Sequence, residues 1–339
     1  MAKTPDVVML GHGGGGKLSQ QLIGELLAPL LPEAEARALN DAAVLPASGR
    51  LAFSTDSFVV QPRQFPGGDI GCLAVYGTAN DLAMRGARPR WLSLALVIEE
   101  GLPLAELATI VASIRSACET AGVQIVTGDT KVVERGAADG LYINTAGLGE
   151  VDPRAAMAGD GARPGDAILL SGSLADHGMA VLTAREGLTL GGQCSDSAPL
   201  WPLVEAMLDA VGDQIHALRD PTRGGLASAL NELATHSGVA MEVEEVRLPV
   251  RAPVRGACEL LGLDPLMVAN EGKLVAIVAP EAAEAALAAM RSVAIGADAD
   301  FIGSITECCS TCARVILHTG MGTSRVIDLP SGEVLPRIC

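Results

Sequence analysis

The sequence predicts a two-domain α/β (α+β) protein. Three observations carry that expectation. At roughly 150 residues per domain, a chain of 339 residues makes two. Apolar segments of strand and helix period alternate along the chain. A Pro- and Gly-rich seam at 151–166 (VDPRAAMAGDGARPGD) interrupts the alternation, which then restarts.

In order, residues 6–10 (DVVML) read as a short strand. The loop GHGGGGK follows at 11–17, then an amphipathic helix near 18–31 that stops before Pro32. A strand near 51–60 (LAFSTDSFVV) carries an aspartate in its middle. Residues 69–86 form a helix rich in small residues, closed by Ala87-Arg88-Pro89. Strand 91–98, helix 103–121, strand 123–127, a polar loop at 128–138 and strand 141–149 complete the first half. The second half reads as strand 167–171, helices near 178–186, 201–210 and 224–237, strand 239–246 and helix 253–261. Strand 273–278, helix 280–294 and a last strand or two follow. Residues 316–339 are polar and weakly patterned, and are expected to be a mobile tail.

The net charge of -16 and an aromatic content of 2% exclude the usual basic and stacking surfaces for nucleic acid. They do not exclude ATP, because one bound cation inverts the local charge logic. Eight scattered cysteines do not form a compact disulfide framework. The start has no apolar leader, and no uninterrupted apolar run reaches the roughly 18–20 residues of a membrane span. The expectation is a cytoplasmic, thiol-reduced protein without a membrane partner.

GHGGGGK fits G-x-x-x-x-G-K, with Lys17 in the lysine position, but Leu18 stands where Ser or Thr would hold Mg²⁺. A flexible loop closing over phosphates is the alternative. Asp41 (NDAAVL), Asp56 (FSTDSFVV), Asp81 (TANDLAM) and Asp129 (VTGDTK) each sit in or beside apolar segments. Each alone is explained by a turn or cap. Four in one half point to a shared Mg²⁺ cluster, since a buried carboxylate needs a partner. Lys131 follows Asp129 and is either a surface lysine or a phosphate and proton-transfer group. In RDPTRGG, Asp220 and Arg223 flank the start of a helix, an anion site or a simple cap. Glu271 (VANEGKLV) is a solvated turn residue or a base. CCSTC at 308–312 is half a zinc motif with His318 as a lone extra donor. Cys339 is the last residue, a thiol suited to carry a small group, with Arg337 nearby to favour its thiolate.

Together NDAAVL, STDSFVV, TANDLAMRGARPRWLSLAL, VTGDTKV and RDPTRGGLA resemble the superfamily of aminoimidazole ribonucleotide synthetase, selenophosphate synthetase and thiamine-monophosphate kinase. Within it, GHGGGGK and the terminal LPRIC resemble the carbamoyl dehydratases of [NiFe]-hydrogenase maturation. A selenophosphate synthetase would carry a reactive cysteine near the glycine loop. The resemblance implies a glycine-rich segment (1–34), an ATP-binding and dimerising domain (35–150), a C-terminal α/β domain (160–315) and the tail (316–339).

The resemblance also implies a homodimer whose N-terminal domains form a barrel-like sheet, with ATP in a cleft beside it. Mg²⁺ would sit on Asp41, Asp56, Asp81 and Asp129, with Lys17, Asp220 and Arg223 also around the nucleotide. Partners would be the carbamoyltransferase HypF and the scaffold complex HypC–HypD. Cys339 would carry a carbamoyl group that is dehydrated to a thiocyanate, with Glu271 and Lys131 moving protons or stabilising charge. One departure is Asn40-Asp41 in place of the family's Asp-Asp. A small-molecule kinase or synthetase of the selenophosphate or thiamine-phosphate type, or a scaffold that docks partners through its tail, are the alternatives.

Overall fold

The computed structural model describes residues 6–13, 17–33, 45–188, 193–308, 314–329, 335 and 337–339. The expected strand at 6–10 reduces to a single bridge from Val7 to Pro103. Its backbone hydrogen bonds go to a turn, with Val8 N–H on Leu102 O at 2.7 Å, so no ladder develops. Helix α1 (Lys17–Leu22) is followed by a wide turn at Ile23–Leu27 and a tight one at Ala28–Leu30. Pro29 lacks the N–H that a regular helix would need there.

The first sheet contains β1 (Leu51–Phe58), and a small hairpin of β2 (Gln64–Phe65) and β3 (Gly68–Asp69) leads into α2 (Ile70–Met84). Asp69 caps α2, accepting from Gly71 N–H and Cys72 N–H at 2.9 and 3.0 Å. Next come β4 (Ala87–Glu99), α3 (Leu104–Ala121), β5 (Gln124–Val133) and β6 (Leu141–Val151). Strand order is β1-β6-β4-β5, antiparallel except for the β4–β5 pair. The loop expected at 128–138 is strand as far as Val133, because β4 extends to Glu99 and offers a full parallel edge. Leu73, Leu96, Ile110, Ile114 and Ile143 are buried in one cluster between α2, α3 and the sheet. At about 25 cal/mol per Å² of apolar surface, such aliphatic burial is the main stabilising contribution.

The second half comprises β7 (Ala167–Leu170), α4 (Asp176–Arg185), α5 (Trp201–Val211) and β8 (Ile215–Arg219). It continues through α6 (Gly225–Ser237), β9 (Ala240–Glu244), α7 (Ala252–Leu261), β10 (Val275–Val278) and α8 (Ala283–Arg291). It ends with β11 (Asp300–Thr306), β12 (Arg314–His318) and β13 (Ser324–Ile327). The sheet order is β13-β12-β9-β11-β7-β10-β8. Every residue of β7 and β10 is buried, which explains their unbroken apolar sequences. Strand β8 was not expected from the sequence, because IHALR is short and has one apolar face.

The tail expected from residue 316 is corrected in part. Residues 316–318 and 324–327 are strands of the second sheet, with Leu317 and Ile327 buried in its core. The last residues, 337–339, are docked against the first domain rather than free, as the site geometry shows.

Candidate active site

A cleft of about 450 Å³ runs between the two sheets. Asp56 enters it from β1, Asp81 from α2, and Asp220 and Arg223 from the turn before α6. Glu271 enters from the loop before β10, and Cys339 closes the list of expected residues. Arg85 and Arg219 also line the cleft and add positive charge at its exposed side.

Strand alternation sets these directions. In β1 the residues at 52, 54, 56 and 58 are more buried than those between them, so Ser54 and Asp56 share the inner face. Ser54 Oγ–H donates to Asp81 Oδ2 at 2.7 Å, tying β1 to α2. Burial raises the Asp81 carboxyl above its usual range, Ser54 opposes this, and the nearby Asp56 adds to it. Burial also pushes Asp220 up to about 7, assisted by the charge of Asp81. Glu271, 4% exposed, is raised well above an ordinary glutamate by burial and then by Asp220, Asp196, Asp56 and Asp81. Its Oε1 is buried without a hydrogen-bond partner. Acids that repel one another in a shared cleft hold protons more tightly than isolated carboxyls do.

The backbone of Glu271 is fixed from both sides. Its N–H donates to Asp196 Oδ1 at 3.1 Å, and its carbonyl accepts from Asn80 Nδ2 at 3.1 Å. Asn80, next to Asp81 on α2, also donates to Ala198 O at 3.0 Å and accepts from Leu200 N–H at 2.8 Å. Lys273 Nζ lies 3.0 Å from Asp196 Oδ2, off the line for a good hydrogen bond. Burial is the largest influence and favours a protonated Asp196, but Lys273, His177 and the Glu271 N–H together outweigh it and hold the carboxyl below the usual range. A Cβ on Gly272 would lie 1.8 Å from Asp196 O, so only glycine permits this approach.

The three terminal carbonyls are each caught. Arg337 O accepts from Gln61 N–H at 3.1 Å and Arg185 Nη2 at 2.7 Å. Ile338 O accepts from His177 Nε2 at 2.8 Å, and Cys339 O from Val59 N–H at 3.1 Å. Arg337 adopts φ +52°, a conformation costing a side-chain-bearing residue about 1–2 kcal/mol. Its guanidinium offsets this by donating to Val59 O at 3.0 Å and pairing with Asp139. Ile338 is 3% exposed and belongs to the first-domain core.

The chain matches the AIR synthase related protein N-terminal domain over residues 39–151 and the C-terminal domain over 163–315. Carbamoyl dehydratase HypE of Azotobacter vinelandii is 53% identical over 335 residues, covering 98% of this chain and 97% of that one. The chain belongs to the HypE family. A crystal structure of a HypE protein in complex with ATP superposes with a TM-score of 0.94 at 50% identity, covering 98% and 99% of the two chains. A HypE chain from a HypE–HypF complex matches with a TM-score of 0.80 at 46% identity, covering 93% and 100%.

For this HypE-family chain, Asp56, Asp81, Asp220, Arg223, Glu271 and Cys339 converge as a group. Asp129 and Lys131 do not join them. They pair with each other at 2.8 Å on β5, both more than half exposed. Asp129 registers with Ala95 and Lys131 with Val97, on the sheet face away from the helices, whereas Asp56 registers with Thr145 on the helix-covered face. The expected four-aspartate Mg²⁺ cluster is therefore not assembled within the described residues. Among those residues, no three His, Cys, Asp or Glu side chains are set to share one metal ion. Asp41 lies outside the described residues, as does the side chain of Lys17, whose backbone begins α1. Cys309 and Cys312 also lie outside them. Asn80, His177, Arg185 and Asp196 were not singled out from the sequence. Only Asn80 left a signal there, as an amide beside Asp81 in an otherwise small and apolar helix.

Proposed function

We propose that this protein is an ATP-dependent carbamoyl dehydratase that acts on its own Cys339, supplying the cyanide ligand for the iron of a [NiFe]-hydrogenase. The observation that carries the reading is the placement of Cys339 in the same cleft as Asp56, Asp81, Asp220 and Glu271. In the reaction, the oxygen of Cys339–S–C(=O)–NH₂ takes the γ-phosphoryl group of ATP and ADP leaves. Loss of two N–H protons and departure of phosphate then give S–C≡N. Phosphorylation turns a poor leaving group into a good one. Glu271 suits proton removal, because burial and acidic neighbours make its carboxylate a stronger base than an exposed one. Arg219 and Arg223 stand where phosphate charge would arrive, and the Gly225 start of α6 adds its N-terminal dipole.

Magnesium fits this donor set, since Asp56, Asp81 and Asp220 offer hard oxygens that repel one another without it. Mg²⁺ is commonly held by one or two carboxylates together with substrate phosphates, so a closed protein cage is not required. When bound, it would neutralise charge on the transferred phosphoryl group.

We assign the active form as a homodimer built on the open face of the first sheet. That face carries Phe53, 68% exposed, beside the partly buried Leu148, with Ala95 and Val97 farther along it among Thr55, Ser57 and Asn144, a mixed surface that a second copy could cover. Pairing two such sheets would form the barrel-like sheet and would present Asp129 and Lys131 to the partner's cleft. The carbamoyl donor is HypF, as the complex of a relative supports. The cyano group's acceptor is the HypC–HypD complex, and the setting is the cytoplasm. No described helix is long and apolar enough to cross a membrane.

Intact-mass measurement tests the reading. After treatment with the carbamoyltransferase and its substrates, the terminal peptide should gain a carbamoyl group. Mg-ATP should then remove one water from it. ATP consumption on a free metabolite, with no mass change at Cys339, would replace the reading with a small-molecule kinase.

A further inference from the structure

His177, which the reaction scheme does not use, lies where the docked terminus meets the segment that cages Glu271. It is fully buried on α4, with its ring edge-on to Phe65 at a centroid distance of 5.4 Å. Its Nε2 is 2.8 Å from Ile338 O, and its Nδ1 is 2.8 Å from Ser195 Oγ. A carbonyl only accepts, so Nε2 carries the proton and Nδ1 offers a lone pair. Ser195 Oγ–H then donates to Nδ1, while Ser195 Oγ accepts from Ser197 N–H at 3.1 Å. One set of donors and acceptors satisfies the whole chain. Burial lowers the His177 pKa and keeps the ring neutral, as this tautomer requires, although Asp196 and the Ile338 contact oppose the shift.

The segment at Ser195–Ser197 is also what holds the base. Asp196 Oδ1 takes the Glu271 N–H, and Asp196 O sits against Gly272. Ser195 N–H donates to Pro66 O at 2.7 Å, anchoring the same segment to the first domain. Resting on the dehydratase reading of this cleft, we infer that His177 is a positioning residue that latches the docked terminus to the segment placing Glu271. The latch holds a main-chain carbonyl and never touches the sulfur. It therefore grips thiol, carbamoyl and thiocyanate forms of Cys339 alike, and sets the distance of the reacting carbon from Glu271 through the backbone.

The test compares His177→Gln, His177→Asn and His177→Ala in the full-length protein. A glutamine amide reaches the Nε2 position and keeps the donor to Ile338 O. An asparagine amide reaches only the Nδ1 position, and alanine reaches neither. Iodoacetamide labelling is read on the terminal peptide by mass spectrometry, and dehydration is read in a single turnover of the carbamoylated protein at saturating Mg-ATP. In the Asn and Ala variants, labelling of Cys339 should quicken about five- to tenfold, the factor expected for losing one buried hydrogen bond. Dehydration should slow by at least as much, with the ATP concentration for half-maximal rate unchanged. The Gln variant should return both toward wild type. Wild-type labelling and dehydration in the Asn and Ala variants would overturn the latch. Equal loss in all three variants would also overturn it, leaving His177 a packing residue. If the carbamoylated wild type forms no thiocyanate, the dehydratase reading fails instead, and labelling alone judges the latch.

Discussion

Asn80 donates its amide to the carbonyl of Glu271 at 3.1 Å, across 191 residues of sequence. The same side chain binds Ala198 O and Leu200 N–H, and it is 2% exposed. One amide on α2 thus aligns the acidic residue beside it, Asp81, with Glu271 of the other domain. Asn80→Ala leaves three buried backbone groups without this partner. It is expected to cost about 2–4 kcal/mol in urea unfolding and to slow dehydration. Asn80→Asp keeps an acceptor for Leu200 N–H but loses both donations, so it should not rescue turnover.

Gly272→Ala places a methyl 1.8 Å from Asp196 O, and that oxygen belongs to backbone rather than to a side chain free to move. The segment at 195–197 must shift, carrying the Asp196 contact to Glu271 with it. We expect a loss of about 2–4 kcal/mol in thermal or urea unfolding. Glu271→Gln, by contrast, should keep the fold, remain carbamoylated at Cys339 and form no thiocyanate.

Asp220 titrates near 7 in the fold, against 3.8 for a free aspartate. Between those values the folded state keeps a proton that the unfolded chain releases. The group's contribution is therefore complete below 3.8 and is lost as pH rises through about 7. Relative to wild type, Asp220→Asn should gain stability progressively as pH rises from about 4 to about 7, levelling at an advantage of about 1–2 kcal/mol at about pH 8 without nucleotide, because the half-buried group is partly screened. Melting curves across this range check the sign. Wild type should regain the difference with Mg-ATP, and the variant should not.

Lys131 lies on the sheet face opposite the one that carries Asp56. If it serves a partner's cleft, a mixed dimer of Lys131→Ala and Glu271→Gln protomers has one site with both defects and one with neither. Co-expressed and purified by two tags, that dimer should recover about half of wild-type turnover, the share set by dimer symmetry. Each variant alone should be inactive. No recovery in the mixed dimer would place Lys131 in service of its own protomer.

Much of the site was legible in the sequence because a carboxylate inside an apolar segment is costly and therefore conspicuous. Asp56 and Asp81 were visible on that ground, Glu271 only as a turn residue that could act as a base, and all three line the cleft. Asp129 looked the same in sequence but faces away. The difference is one step of strand parity, and parity depends on register with β4, which no local pattern reports. Strand β8 and the strand part of the expected tail were missed for a related reason. IHALR and RVILH are too short to show a period, and become strands only because a sheet edge accepts them.

By itself the sequence determined the two α/β halves, the aspartates set in or beside apolar segments of the first, and a terminal thiol worth noticing. These follow from periodicity, burial cost and chemical type, which are local properties. Tertiary structure alone decided that Cys339 meets Asp56, Asp81, Asp220 and Glu271, and that Asp129 and Lys131 do not. It also decided the roles of Asn80, Asp196 and His177. Their partners are backbone groups far along the chain, and a hydrogen bond to a distant carbonyl leaves no trace in the side chains on either side of it.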